Sequence, residues 1–252
     1  YQAFGHHFDF IAIPIIKKRL RMDTSQVIIN EERPQLTKHL ATRFKEKIGQ
    51  NVNLLGEVVL GNEEADHRYH HYLEALESPD INYISVKISG IYAQTHALNY
   101  EESFPELVSR MSALYQKAID FPYTDEDGIK RSKFINLDME EYKDAHFTLR
   151  LFKAVLNLPQ FKNYSAGIVV QAYLPDAYDF QTELLEFAKA RIDGGGAPIK
   201  TRLVKGCNLE METVISSLKG WPNPIRPSKT EVDANYLCLL ERGLMPENAR
   251  VL

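Results

Sequence analysis

Polar side chains stand in or just past the C-terminal parts of successive apolar runs in this sequence: Glu57, Lys87, Asp138, Gln171 and Arg202, with Lys205 just beyond. Neighbouring members are about one βα unit apart, with one longer interval around Asp125–Gly128. A charge in an apolar setting is unfavourable unless something pairs with it or uses it. In a (βα) barrel all these positions face one mouth, and active sites sit there. Arg202 offers a permanent charge on a planar donor edge. Gln171 offers both a donor and an acceptor. Each position also has a structural reading. Lys87 and Asp138 would form a salt bridge across the mouth, Gln171 would satisfy backbone groups, and Glu57 stands evenly between structure and function.

The elements that must position these groups follow from periodicity. Strand-like runs lie at Val52–Leu60, Asn82–Ile88, Lys133–Leu137, Gly167–Leu174 and Ile199–Val204, and a sixth begins at Arg250. Helical patterns separate them at Glu63–Leu76, Ser103–Ile119, Glu141–Leu156, Asp179–Ile192 and Val232–Arg242. The fourth of these closes on Gly194, Gly195 and Gly196, a strong stop signal. Strands separated by single helices imply parallel pairing with right-handed crossovers. An open dinucleotide-binding sheet would show a glycine-rich turn after its first strand, and none follows Leu55-Gly56-Glu57. The expectation is an α/β fold, a TIM-like (βα)8 barrel of which this chain carries about five strands and the start of a sixth.

Residues 1–50 carry no clear strand. Leu36, Leu40, Phe44 and Ile48 recur every four residues in an apolar helical stripe. Residues 1–50 are expected to form a helical segment packing on the barrel, and residues 51–252 the partial barrel. The run Phe8–Ile16, interrupted by Asp9 and followed by Lys17, Lys18, Arg19 and Arg21, is far shorter than the ~20 residues that span a bilayer. It reads as a helix with solvated charges, or as a basic amphipathic helix touching a membrane surface. A first residue other than Met and a strand-like Asn248–Leu252 suggest a piece of a longer chain.

Of the 252 residues, 44% are hydrophobic and 25% charged, and the formal net charge is −4. This mixed balance leaves no electrostatic footprint for nucleic acid. Cys207 and Cys238 do not form a paired-cysteine pattern, so neither a disulfide framework nor a zinc cluster is expected, and a reducing compartment fits. His67, His70 and His71 share a helix but lack the glutamate of the zinc-protease pattern, so no metal is expected. Cys207 has no adjacent base, and Trp221 opens a proline-rich loop as a structural anchor.

Five strings taken in order carry a family resemblance: Asn53–Leu60, Tyr83–Ser89, Ile135–Tyr142, Val170–Leu174 and Arg202–Glu210. Together they resemble the flavin-dependent proline dehydrogenases, most of all the domain found in bacterial bifunctional proline catabolic enzymes. The resemblance covers about residue 10 to the end. It implies FAD at the C-terminal face of a distorted barrel, oxidation of L-proline to 1-pyrroline-5-carboxylate, and electron delivery to a quinone. By position, Asp138 and Arg202 match catalytic residues and Lys87 a substrate-side lysine. Met139, Gln171, Arg202, Val204, Lys205, Gly206 and Cys207 match flavin-contacting positions, as do Lys229 and Asp233 further on. The resemblance also implies a cytoplasmic enzyme with peripheral contact at the inner membrane and an aldehyde dehydrogenase domain in the full-length protein.

The chain departs from that pattern in places. Asn208 replaces a common aromatic residue and Cys207 a common alanine. The family's Tyr-x-x-Arg-Arg motif, whose arginines grip the proline carboxylate, does not occur in these residues. Two other readings follow from the residues: a Schiff-base barrel lyase using Lys87 or Lys205, or an inactive truncated barrel with exposed strand edges.

Overall fold

The structure is a computed structural model that describes residues 9–24, 28–29, 33–54, 59, 61–93, 95 and 99–251. These fall into two compact units, residues 1–50 and residues 51–252.

The first unit holds α1 (Asp9–Thr24) and α2 (Arg33–Lys45). The expected four-residue stripe is realised only in part. Leu40 is buried, whereas Phe44 is exposed and Ile48 falls beyond the helix end. Lys47, at φ 58°, takes the left-handed conformation in the turn that stops α2.

The second unit is built from β1 (Val52–Asn53), α3 (Asn62–Glu77), β2 (Tyr83–Val86), α4 (Tyr100–Asp120), β3 (Tyr123–Thr124), β4 (Lys130–Arg131) and β5 (Phe134–Leu137). It continues through α5 (Tyr142–Leu156), β6 (Gly167–Gln171), α6 (Ala177–Asp193), β7 (Lys200–Val204), α7 (Leu209–Lys219) and α8 (Lys229–Leu244). Five strands form one parallel sheet in the order β1-β2-β5-β6-β7. A helix links each strand to the next, which is the arrangement of an incomplete TIM-like barrel. The long interval noticed around Asp125 is the β3–β4 hairpin. Its turn is held by Asp125 Oδ1, which accepts the Asp127 and Ile129 N–H groups at 3.0 and 2.9 Å.

Register explains why the strands alternate in character. Asn53 pairs with Ser85, Ser85 with Asn136, Asn136 with Gly167, and Gly167 with Lys200. Side chains two apart share a face. The row above this one on the same face therefore contains Lys87, Asp138, Val169 and Arg202. The opposite face carries Ile84, Val86, Ile135, Leu137, Ile168 and Val170, each at most 1% exposed. Helices α4 and α5 are apolar at helical spacing, through Leu107, Met111, Leu114 and Ala118 in one and Ala145, Leu149, Phe152 and Leu156 in the other, and all eight residues are buried. Gly167 is needed at its position because a Cβ there would stand 2.7 Å from Asn136 Oδ1 and 2.9 Å from the Phe134 ring.

The paired strands are shorter than their apolar runs. The first run was expected to reach Leu60; among the described residues pairing covers Val52 and Asn53. The fourth ends at Gln171; beyond it Ala172 donates to the carbonyl of Val204, the last residue of β7, and Tyr173 to that of Lys205 just past the strand. Arg250 and Val251, where the sixth strand was expected to begin, lie in a turn, and the Val251 carbonyl accepts the Ile199 N–H at 3.2 Å. Helix α7 was not anticipated. At the N-terminal edge of the sheet, the Arg191 guanidinium donates to the carbonyls of Leu156, Phe161, Lys162, Tyr164 and Ala197, tying the α5–β6 and α6–β7 connections together.

Candidate active site

Asp138 is the centre of a polar network on the inner face. It follows β5 directly and is 8% exposed. Asn136, two residues earlier on the same face, donates through Nδ2 to Oδ1 at 2.8 Å, and Asn53 of β1 donates to Oδ2 at 3.3 Å. Arg202 of β7 reaches across to Oδ1 at 3.3 Å and to Ser85 Oγ of β2 at 3.5 Å. Asn51 also donates to Ser85 Oγ, at 2.9 Å. Three strands thus hold one carboxylate under one guanidinium. The Arg202 side chain remains 44% exposed, so its charge stays available to a ligand. Burial raises the pKa of Tyr83, and the nearby Arg202 opposes that rise.

The structural alternative for Lys87 was a salt bridge with Asp138. The ion pair forms between Asp138 and Arg202 instead, and Lys87 acts on Glu140. The Glu140 carboxylate accepts Ser89 Oγ–H at 2.8 Å and Ser89 N–H at 3.2 Å. Burial raises its pKa, while the Ser89 hydrogen bonds and the Lys87 charge work against the rise. Glu140 thereby joins the end of β2 to the segment after β5. Gln171 donates to the Met139 and Glu140 carbonyls at 3.3 and 3.1 Å. Its own Oε1 is buried and has no hydrogen-bond partner.

A second group of residues lines a cleft beyond the strand ends. It contains Lys205, Gly206, Lys229 and Asp233, joined by Tyr173 and Arg226. The Asp233 carboxylate lies 2.6 Å from Lys205 Nζ and 2.8 Å from Lys229 Nζ. These two lysines hold its carboxyl below the usual carboxylate range. Gly206, at φ 130°, lies so close to Tyr173 that an added Cβ would fall 1.5 Å from the ring. Only glycine fits there.

Asp138 and Arg202 are in contact, Gln171 touches the Met139 carbonyl, and Lys205, Gly206, Lys229 and Asp233 share one cleft. The Val204 carbonyl serves the backbone of Ala172, and Cys207 is exposed, with Sγ 3.4 Å from Asn208 Oδ1. Glu57 lies outside the described residues. Sequence reasoning passed over Asn53, Ser85, Asn136, Glu140 and Arg226. The period-2 pattern of Asn136 and Asp138 could have flagged the former. Ser85 and Asn53 become legible only once the register is known.

A parallel βα sheet with carboxylate, guanidinium and amide groups gathered at its C-terminal edge is the frame of a (βα)-barrel enzyme domain. The proline dehydrogenase family model matches residues 36–252, and the chain belongs to that family. Among solved structures, Proline Utilization A from Corynebacterium freiburgense is 41% identical, with a TM-score of 0.84 over 92% of this chain and 23% of that one. Proline Utilization A from Bdellovibrio bacteriovorus, inactivated by N-propargylglycine, is 31% identical, with a TM-score of 0.81 over 94% of this chain and 26% of that one. A mutant Proline Utilization A from Bradyrhizobium japonicum, 24% identical with a TM-score of 0.67 over 78% of this chain and 20% of that one, shares the fold. The chain thus spans about a quarter of the length of the first two relatives. The comparison with curated proteins gave no match.

Proposed function

We propose that this domain oxidises L-proline to 1-pyrroline-5-carboxylate, with FAD as the acceptor of the two electrons and a quinone receiving them in turn. The observation that carries the reading is the Asp138–Arg202 pair at the strand ends, 3.3 Å apart and flanked by a buried Gln171 Oε1 with no partner. An unpaired buried carbonyl is unfavourable, and a flavin ring edge offers the donor it lacks. The residues therefore fit the cofactor. Gln171, Met139 and Arg202 would hold its ring, with Val204, Gly206 and Cys207 beside it, and Lys205, Lys229 and Asp233 would serve the remainder.

FAD supplies the redox chemistry when bound; the protein supplies binding, orientation and electrostatics. Arg202 sets a fixed positive charge where negative charge develops, without reorganisation during the reaction. Asn136 and Asn53 hold Asp138 in one rotamer, so its carboxylate is pre-positioned for the substrate amine. Lys87 is placed by the same β2 end that Glu140 grips, and it faces the substrate side. The lyase reading fares less well: Lys205 sits beside a carboxylate, whereas a Schiff-base lysine is activated by desolvation or a neighbouring cation.

No helix among the described residues is long and apolar enough to cross a membrane. We place quinone reduction at a membrane surface that the enzyme visits from the cytoplasm, and a partner aldehyde dehydrogenase domain in the same polypeptide. The test is spectroscopic. The protein is mixed with FAD, the visible spectrum recorded, and L-proline added without oxygen. Bound flavin that bleaches with proline is the expected result. Bound flavin that proline leaves oxidised would remove the proline chemistry, and no bound flavin would remove the cofactor.

A further inference from the structure

Helix α7 meets the rest of its unit with a carboxylate rather than with its large apolar side chains. Leu209, Met211, Val214 and Leu218 are exposed, whereas Glu212 and Ser216, one turn apart, are its buried residues. Glu212 Oε1 accepts the backbone N–H of Tyr142, the first residue of α5, at 2.6 Å. The free N–H groups of a helix start are ordinarily met by water or by a short polar side chain just before them. The place before α5 holds Glu141, which makes no capping bond; its carboxylate pairs with Lys143 at 2.8 Å. Water or a local cap would serve α5 without burying a charge. The stability of α5 alone therefore does not call for Glu212. Burial raises the Glu212 pKa; the Tyr142 N–H and Lys143 oppose the rise, and Glu141 and Asp144 add to it.

What the bond joins gives the reason. Residues 138–142 follow β5 and carry Asp138 and Met139. Residues 205–208 follow β7, start three residues after Arg202 and lead straight into α7. The first of these segments is fastened to the end of β2 by Glu140, which accepts from Ser89. It is fastened to β6 by Gln171, which donates to the Met139 and Glu140 carbonyls. The Tyr142 hydroxyl adds a bond to Asp176 Oδ2, just before α6, at 2.6 Å. Glu212 completes the set by tying the same segment to the helix after β7. A buried, charge-assisted bond between two segments 70 residues apart fixes their separation, and small misplacements at a reacting centre are expensive.

We propose that Glu212 is a positioning residue for the oxidation: reaching Tyr142 from α7, it locks the segment that carries Asp138 and Met139 to the one that carries Lys205 and Gly206. This assignment rests on the proline oxidation proposed above. Glu212→Asp keeps the charge and shortens the arm by one methylene; Glu212→Gln keeps the reach and removes the charge. Both are compared, in the full chain, with the unaltered protein. Amide hydrogen exchange is measured without cofactor, and then the limiting rate at which L-proline bleaches bound FAD without oxygen. Glu212→Asp should speed exchange in the first turns of α5 and α7 together and slow bleaching roughly 10- to 100-fold. Glu212→Gln should keep the protection and most of the rate. Equal losses in the two variants, unchanged exchange in Glu212→Asp, or faster exchange with an unchanged rate would each overturn the assignment. An unaltered chain that binds no FAD, or whose flavin proline leaves oxidised, would instead overturn the flavin reading, and this assignment with it. Should Glu212→Asp fail to fold, as judged by circular dichroism, Tyr142→Pro is the second variant. Proline suits the first position of a helix and lacks the N–H, and Glu141, at φ −76° and ψ 151°, accepts a following proline. Tyr142→Ala loses the same ring but keeps the donor. Slower bleaching in Tyr142→Pro than in Tyr142→Ala supports the assignment, and equal rates overturn it.

Discussion

Arg202 bears the heaviest demand of any single residue, because it touches both Asp138 and Ser85 and still presents nearly half its side chain to the site. Replacing it with Met keeps the apolar stem and removes the charge. Turnover with L-proline should fall by roughly 10²- to 10³-fold, the range seen when a pre-positioned electrostatic group is lost, and FAD should bind more weakly. Steady-state kinetics and a flavin titration check both parts, and unchanged kinetics would take Arg202 out of the reaction. Glu140 is a different kind of residue. It acts through Ser89 and Lys87, holding the end of β2 against the segment after β5, so it is a positioning group.

Two cations, one buried and one half-buried, brace the elements at the opposite edge of the sheet. Lys133, which precedes β5, is 1% exposed and donates to the Ser78 carbonyl. Burial pushes its amine down from the ordinary 10.5 to about 8, against the pull of Asp80. Between these values the unfolded chain binds the extra proton, so stability should rise with pH across that window. Thermal unfolding followed from about pH 8 upward should show this rise in the unaltered protein and its loss in Lys133→Met. Parallel curves for the two would refute the buried-amine account. Among the described residues Arg191 meets no carboxylate, only five carbonyls on two connections. Arg191→Met leaves these acceptors to water or to nothing, and should lower unfolding free energy by about 2–4 kcal/mol in a denaturant titration. A change below about 0.5 kcal/mol would mean that water replaces the guanidinium without loss.

At the scale of the whole molecule, the site is assembled from strands far apart in sequence, so occupying it should stabilise the fold. FAD at a hundred times its dissociation constant adds about 2.7 kcal/mol by mass action, or roughly 5–10 °C in melting temperature for a domain of this size. Differential scanning fluorimetry or calorimetry at graded FAD concentrations measures it. A melting temperature independent of FAD would show that the described sheet does not form the cofactor site. The exposed leucines of α7 and α8, Leu218, Leu237 and Leu244, are 81%, 62% and 66% exposed.

The alternation of apolar runs with helical periods was enough to indicate an α/β fold with parallel strands, and to place Lys87, Asp138, Gln171 and Arg202 in or just past the C-terminal parts of those runs. Those properties are local: hydrophobic period, and the energetic anomaly of a charge within an apolar run. The partnerships are not local. Whether Asp138 would pair with Lys87 or with Arg202 depends on register across β2, β5, β6 and β7, and on which side chain spans the gap. Sequence spacing treats the two cations alike; the structure chose the guanidinium, whose length and planar donor edge let it reach Asp138 and Ser85 together. The same holds for Asn53, Ser85 and Arg226. Each is an unremarked polar residue in one dimension and becomes a neighbour of the site only when parallel pairing and the return of the chain to Tyr173 bring it there.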